Sequence, residues 1–144
     1  MKQPRVLADA NVLLALAWPT HPFHGRATMR LAGSAPWATC PLTRAAFVRL
    51  SSNPLVVGRP VTPLEAWRLL AGWLRDKEHL ALDREPSGFA VHFEKILARC
   101  LGHNQVNDAY LVALAAAHRV RVVTFDGPLA ALAPEPGLVE VLKP

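Results

Sequence analysis

The sequence predicts an α/β fold of three layers, a mostly parallel central sheet flanked by helices. Three observations carry this. Strand-like runs alternate with helix-like stretches along the chain, the pattern of successive βα units. The thirteen prolines fall almost wholly between those segments, so they punctuate one compact domain rather than build a linker. Hydrophobic residues make up 51% of the 144 residues, enough for a single domain, residues 1–144, with its own core.

Each element follows from local signals. Arg5 to Ala8 reads as the first strand, and Asn11 to Ala17 as a helix ended by Trp18-Pro19. A second helix covers His21 to Ala32 and is stopped by Gly33 and Ser34. Trp37 to Cys40 is a short strand between Pro36 and Pro41, and Thr43 then serves as the N-cap of a helix to about Ser51. Ser52-Asn53-Pro54 and Gly58-Arg59-Pro60 mark a loop. Thr62, Pro63 and Glu65 form a helix start, with Glu65 completing a capping box, and that helix runs to about Asp76. His79 to Leu82 is a strand, Gly88 to Leu101 a helix, and Asn107 to His118 another. Arg121 to Thr124 is a strand, Pro128 to Leu132 a short helix, and Val139 to Leu142 an added edge strand.

Composition narrows the function classes. The longest uncharged apolar stretch near the start, Val12 to Trp18, is too short for a bilayer, which needs about 20 residues. Together with the lack of a signal-like h-region, this points to a cytoplasmic protein without a membrane partner. Cys40 and Cys100 lie far apart with no CxxC spacing, so two buried free thiols are expected and a zinc site is not. His21 and His24 flank Pro22 with no third ligand near, and read as surface residues. Trp67 and Trp73 fall on one amphipathic helix, where packing explains them better than base stacking. The formal charge is +5 but uneven, with +6 over residues 1–60 and −1 over the rest. A basic half rich in arginine suits a nucleic-acid substrate, or else an acidic partner.

Three aspartates occupy element boundaries: Asp9 after the Arg5–Ala8 strand, Asp108 opening an apolar helix, and Asp126 after Val122-Val123-Thr124-Phe125. In an open parallel sheet ligands bind outside the carboxyl ends of the strands, so carboxylates there should converge on one crevice. Unpaired, they repel, and a hard divalent cation with oxygen ligands, such as Mg²⁺, is the usual remedy. Each also has a plain structural reading: a helix cap for Asp9, a first-turn cap for Asp108, an Asp-Gly turn for Asp126. Asn11 can hold a water or fix Asp9, and Thr124 can position a water or a phosphate oxygen. All three acids at such boundaries in one alternating chain point together to a site.

The chain resembles the PIN-domain ribonucleases of the VapC toxin type. Leu7-Ala8-Asp9-Ala10-Asn11-Val12-Leu13-Leu14, Cys40-Pro41-Leu42-Thr43 with Phe47-Val48-Arg49, Gln105-Val106-Asn107-Asp108-Ala109-Tyr110-Leu111, and Val122-Val123-Thr124-Phe125-Asp126 carry the likeness in the expected order. The resemblance implies a PIN-like fold and a metal-dependent endoribonuclease that cuts single-stranded RNA and pairs with a small antitoxin. Asp9, Asp108 and Asp126 match the acidic catalytic and metal-binding positions, with Mg²⁺ (or Mn²⁺ in its place) as cofactor. Asn11, Thr43 and Thr124 are the supporting polar residues.

One departure stands out. The family usually carries a second acid in the helix after the Leu-Thr pair, and here that place holds Ala46 or Arg44. Three acids with waters still suffice for one Mg²⁺, while a stable two-metal arrangement is disfavoured. Arg44 and Arg49 are candidates for holding substrate phosphate. The alternative reading is a catalytically weakened or inactive PIN-like protein that binds RNA or antitoxin. A phosphatase fits poorly, because Asp9-Ala10-Asn11 lacks the Asp-x-Asp pair, and no GxGxxG or P-loop supports a nucleotide cofactor. Helices between about Thr43 and Asp76 carry surplus apolar surface, which predicts a homodimer interface there or a groove for the antitoxin.

Overall fold

Val6-Leu7-Ala8 has no polar residue on either side of the pleat, as a strand covered on both faces requires. It forms the middle of the sheet in a computed structural model that describes residues 4–31 and 35–144. In chain order the elements are β1 (Val6–Ala8), α1 (Ala10–Ala17), α2 (His24–Leu31), β2 (Trp37–Thr39), α3 (Pro41–Ser51), α4 (Pro54–Val57) and α5 (Pro63–Trp73). Then come β3 (His79–Ala81), α6 (Phe89–Leu97), α7 (Val106–His118), β4 (Arg121–Thr124) and β5 (Val139–Val141), with 3₁₀ turns at His103–Gln105 and Gly127–Leu132. The described strands line up in the order β3-β2-β1-β4-β5, and every neighbouring pair is parallel.

Alternation along the strands splits the interior into two cores. Leu7 and Val122 point to one, where α6 and α7 bring Phe89, Ile96, Leu111 and Leu114. Val6, Ala8 and Val123 point to the other, with Val12 and Leu13 of α1, Phe47 of α3 and Leu70 of α5. These two faces make the three expected layers. The connections leave β1 toward β2 on one side and return to β4 on the other. The order therefore reverses between β1 and β4, and a crevice opens at their carboxyl ends.

Several boundaries differ from the expectations. α3 starts at Pro41, so Cys40 leaves the strand and becomes the N-cap; Thr43 lies inside the first turn. Its hydroxyl donates to the Cys40 carbonyl (3.1 Å) and accepts from the Cys40 N–H (3.2 Å), which ties the turn shut from within. The expected 52–60 loop contains α4, because Asn53 caps the Leu55 N–H (3.0 Å) and Pro54 takes the first helical position. At α5, Thr62 accepts from the Glu65 N–H (3.1 Å), and among the described residues no return bond from the Glu65 carboxylate completes the box. α5 stops at Trp73, short of Asp76, and α6 at Leu97, short of Leu101. The segment expected as a helix at Pro128–Leu132 is a 3₁₀ turn. α2 begins at His24 rather than His21, and its expected stop at Ala32-Gly33-Ser34 lies outside the described residues. Cys40 is buried as expected, but Cys100 is only half-buried.

Candidate active site

Asp9 caps α1 directly after β1, and its N–H is held by the Val123 carbonyl (3.0 Å) of neighbouring β4. The residue after Val123 is Thr124, fully buried, and its hydroxyl organises the crevice. That hydroxyl donates to Asp9 Oδ2 (2.8 Å) and accepts from Asn11 Nδ2 (3.2 Å) and the Asp126 N–H (3.0 Å). One donor and two acceptor sites are all a hydroxyl has, so Thr124 is saturated. It is therefore not free to hold a water or a phosphate oxygen; it fixes the acids instead. Asn11 completes the brace by accepting from the Phe125 N–H (3.2 Å), and Asp9 Oδ1 accepts from the Ala10 N–H (2.7 Å).

Asp108 arrives from the first turn of α7, on the other face of the sheet. Burial, then the charges of Asp9 and Asp126, push its carboxyl from the ordinary 3.8 up to about 6. Asp9 is raised as well, by burial first; the Thr124 and Ala10 hydrogen bonds oppose this, and the charge of Asp126 adds to it. The helix dipole favours a first-turn carboxylate by about 0.3–1 kcal/mol at exposed positions. The upward shift of Asp108 says that burial and like-charge repulsion outweigh that benefit.

The three carboxylates thus share one electrostatic environment at the switch point of the sheet. Among the described residues no hydrogen bond holds the Asp108 or Asp126 carboxylate, and no cation offsets the shifts at Asp9 and Asp108. Nor do three or more His, Cys, Asp or Glu side chains there close into a ready-made metal cage. Asp9 and Asp108, raised first by burial and then by neighbouring carboxylate charge, together with Asp126 fit a hard divalent ion that keeps several waters.

The remaining candidates lie elsewhere. Arg44 is mostly buried; it donates to Thr39 Oγ1 (3.0 Å) and pairs with Asp83 in the loop after β3. Arg49 is exposed near the end of α3, and Ala46 is half-buried there. His21 and His24 bond locally, to the Phe23 N–H and the Ala15 carbonyl, and join no ligand set. The Arg44–Asp83 pair was missed in the sequence. The two residues lie 39 positions apart, and only the adjacency of β2 and β3 brings them together.

A family model described as the PIN domain matches residues 6–133, a span that includes all three aspartates. The chain belongs to the PIN-domain family. Among curated relatives this PIN domain is 40% identical to ribonuclease VapC39 of Mycobacterium tuberculosis, over 94% of the chain and 98% of the relative. Its fold matches VapBC2 from Rickettsia felis, solved bound to a DNA fragment from its promoter, with a TM-score of 0.67, 13% identity and coverage of 96% and 99%. It also matches VapC20 of M. tuberculosis, described as a sarcin-ricin loop cleaving toxin, with a TM-score of 0.61, 14% identity and coverage of 88% and 93%. No described helix of this PIN domain is long and apolar enough to cross a membrane.

Proposed function

We propose that this PIN domain is a metal-dependent endoribonuclease that cleaves single-stranded RNA as the toxin of a toxin–antitoxin pair in the cytoplasm. The observation that carries the reading is the electrostatic coupling of Asp9, Asp108 and Asp126 at the carboxyl ends of β1 and β4. The ribonuclease name of the 40% identical relative supports it. Asp9, Asp108 and Asp126 would hold Mg²⁺, or Mn²⁺ in its place. When bound, such an ion polarises a phosphodiester and acidifies an attacking water. The chain's own residues do the rest. Thr124 and Asn11 keep Asp9 in one rotamer, so a donor oxygen is presented without ordering cost. One of the three carboxylates orients the attacking water by accepting its proton through a hydrogen bond. Arg49, and Arg44 if it leaves Asp83, supply positive charge to the RNA backbone.

Pro41, Arg44, Val48, Arg49, Pro63 and Trp67 line a groove of about 720 Å³ between α3 and α5. Leu55, Leu64 and Trp67 stand exposed on the same stretch. This surface fits a homodimer contact or the antitoxin.

The deciding experiment is cleavage of a single-stranded RNA with and without Mg²⁺. Asp9→Asn should lower the rate by about a hundredfold or more. Equal cleavage by both proteins rules the assignment out. A second reading, a weakened or inactive RNA- or antitoxin-binding protein, is favoured by Arg44 and Ala46 standing where a fourth acid is expected. Magnesium titration separates the two: that reading requires no metal affinity while RNA binding persists.

A further inference from the structure

The arginines are not spread evenly over the surface. Three gather at the amino ends of the strands, opposite the acidic crevice: Arg5 before β1, Arg121 opening β4 and Arg119 ending α7; Arg26 and Arg30 of α2 continue the group along β5, bonded to Lys143 and Glu140. Two cavities of about 550 and 430 Å³ lie among them and share Pro4 and Arg121 as walls, so they form one depression. Against these cations stand Glu135 on the wall and Glu140 beside it, which pairs with Arg30 (2.7 Å) and Arg121 (3.6 Å). Arg5 donates to the Trp37 and Glu78 carbonyls and Arg26 to the Lys143 carbonyl. Neutral acceptors orient a guanidinium without cancelling its charge. Arg119 is exposed and makes no ion pair among the described residues.

We propose that this depression binds the phosphate backbone of the RNA away from the bond that is cut, an inference that rests on the ribonuclease reading. The crevice itself carries three carboxylates and repels a polyanion. Arg44, bonded to Thr39 at the end of β2, is already paired with Asp83. Affinity for a nucleic-acid strand comes mainly from phosphate neutralisation, so it has to be supplied outside the crevice. Arginine is the side chain suited to it, since its planar fork grips phosphate with two bonds at once. The distance is short. β4 runs from Arg121 to Thr124, about 10 Å at about 3.3 Å per residue, so an RNA strand passing round the β5 edge of the sheet meets both ends. A polynucleotide carries a charge on every residue whatever its sequence, whereas a peptide does so only in an unbroken acidic run; with the ribonuclease reading this makes RNA the occupant, and polyglutamate the competitor to test.

The test is anisotropy of a labelled single-stranded RNA in metal-free buffer over a range of salt, with the full chain. Arg119→Asn removes a charge at a left-handed position (φ 58°) that Asn tolerates, so the fold is kept. The slope of log affinity against log salt should fall by about 0.7 in Arg119→Asn and by about 1.4 in Arg119→Asn/Arg121→Gln. An Arg68→Gln/Arg75→Gln pair on and after α5 removes the same charge from another surface and should leave the slope unchanged. An unchanged slope in the Arg119/Arg121 variant, an equal loss in the control, or equally effective competition by polyglutamate overturns the proposal. Those outcomes leave the nuclease reading standing, because Asp9→Asn tests it separately. A wild-type chain that binds no RNA sinks both.

Discussion

Thr124 shows how one hydroxyl sets a site. It is buried, its donor and both acceptor sites are used, and each partner belongs to the crevice. Asp108 shows the cost of gathering acids. Its pKa in the folded, metal-free chain is about 6 against the ordinary 3.8, so the folded state holds the proton more tightly than the unfolded one. The resulting stabilisation is fully present below 3.8 and is lost as pH rises through 6. Because Asp108 is only partly buried, solvent screening reduces the effect to on the order of 1 kcal/mol. Urea unfolding in chelator should therefore show stability falling between those two pH values. Asp108→Asn should flatten most of that fall, Asp9 contributing the remainder. A wild type with a flat profile would mean that the acids are not coupled.

At the scale of elements, capping signals decide which starts are legible. Thr62-Pro63 marks the beginning of α5, and its side-chain bond to the Glu65 N–H satisfies one otherwise orphaned donor. Thr62→Ala should cost about 1 kcal/mol in chemical denaturation without touching the crevice. A loss below a few tenths would show that water replaces the hydroxyl. The expected N-cap of α3 is three residues late because Thr43 is an N-cap type by composition, whereas Pro41 already fixes the first helical φ and Cys40 is the cap. α4 was passed over although Asn53-Pro54 is the same kind of signal, since a four-residue helix has too little periodicity to read.

For the whole molecule, the parallel sheet divides much of the charge: Asp9 and Asp126 at the carboxyl ends of β1 and β4, Arg5, Arg119 and Arg121 at the amino ends. The apolar groove between α3 and α5 lies to one side of both. Trp67 is 44% exposed there, so Trp67→Glu removes apolar surface without emptying a core. We expect the wild-type chain to run as a dimer in size-exclusion chromatography with light scattering, and Trp67→Glu as a folded monomer. A wild type that is monomeric both alone and with antitoxin would exclude this surface.

What the amino-acid order decided was local. The alternation of segments, the continuous apolar run of β1, the placement of Asp9, Asp108 and Asp126 at boundaries and the absence of a fourth acid in α3 can all be read along the chain, because each depends on neighbours within a few residues. Tertiary structure decided what meets what. Strand order puts β4 beside β1, and only then does Thr124 become the brace of Asp9 rather than a free hydroxyl. It also turns Arg44 onto Asp83 and collects five arginines from four elements into one depression. Such long-range pairings leave no trace in spacing, because the distance between two side chains across a sheet is set by the order of its strands and not by the number of residues between them.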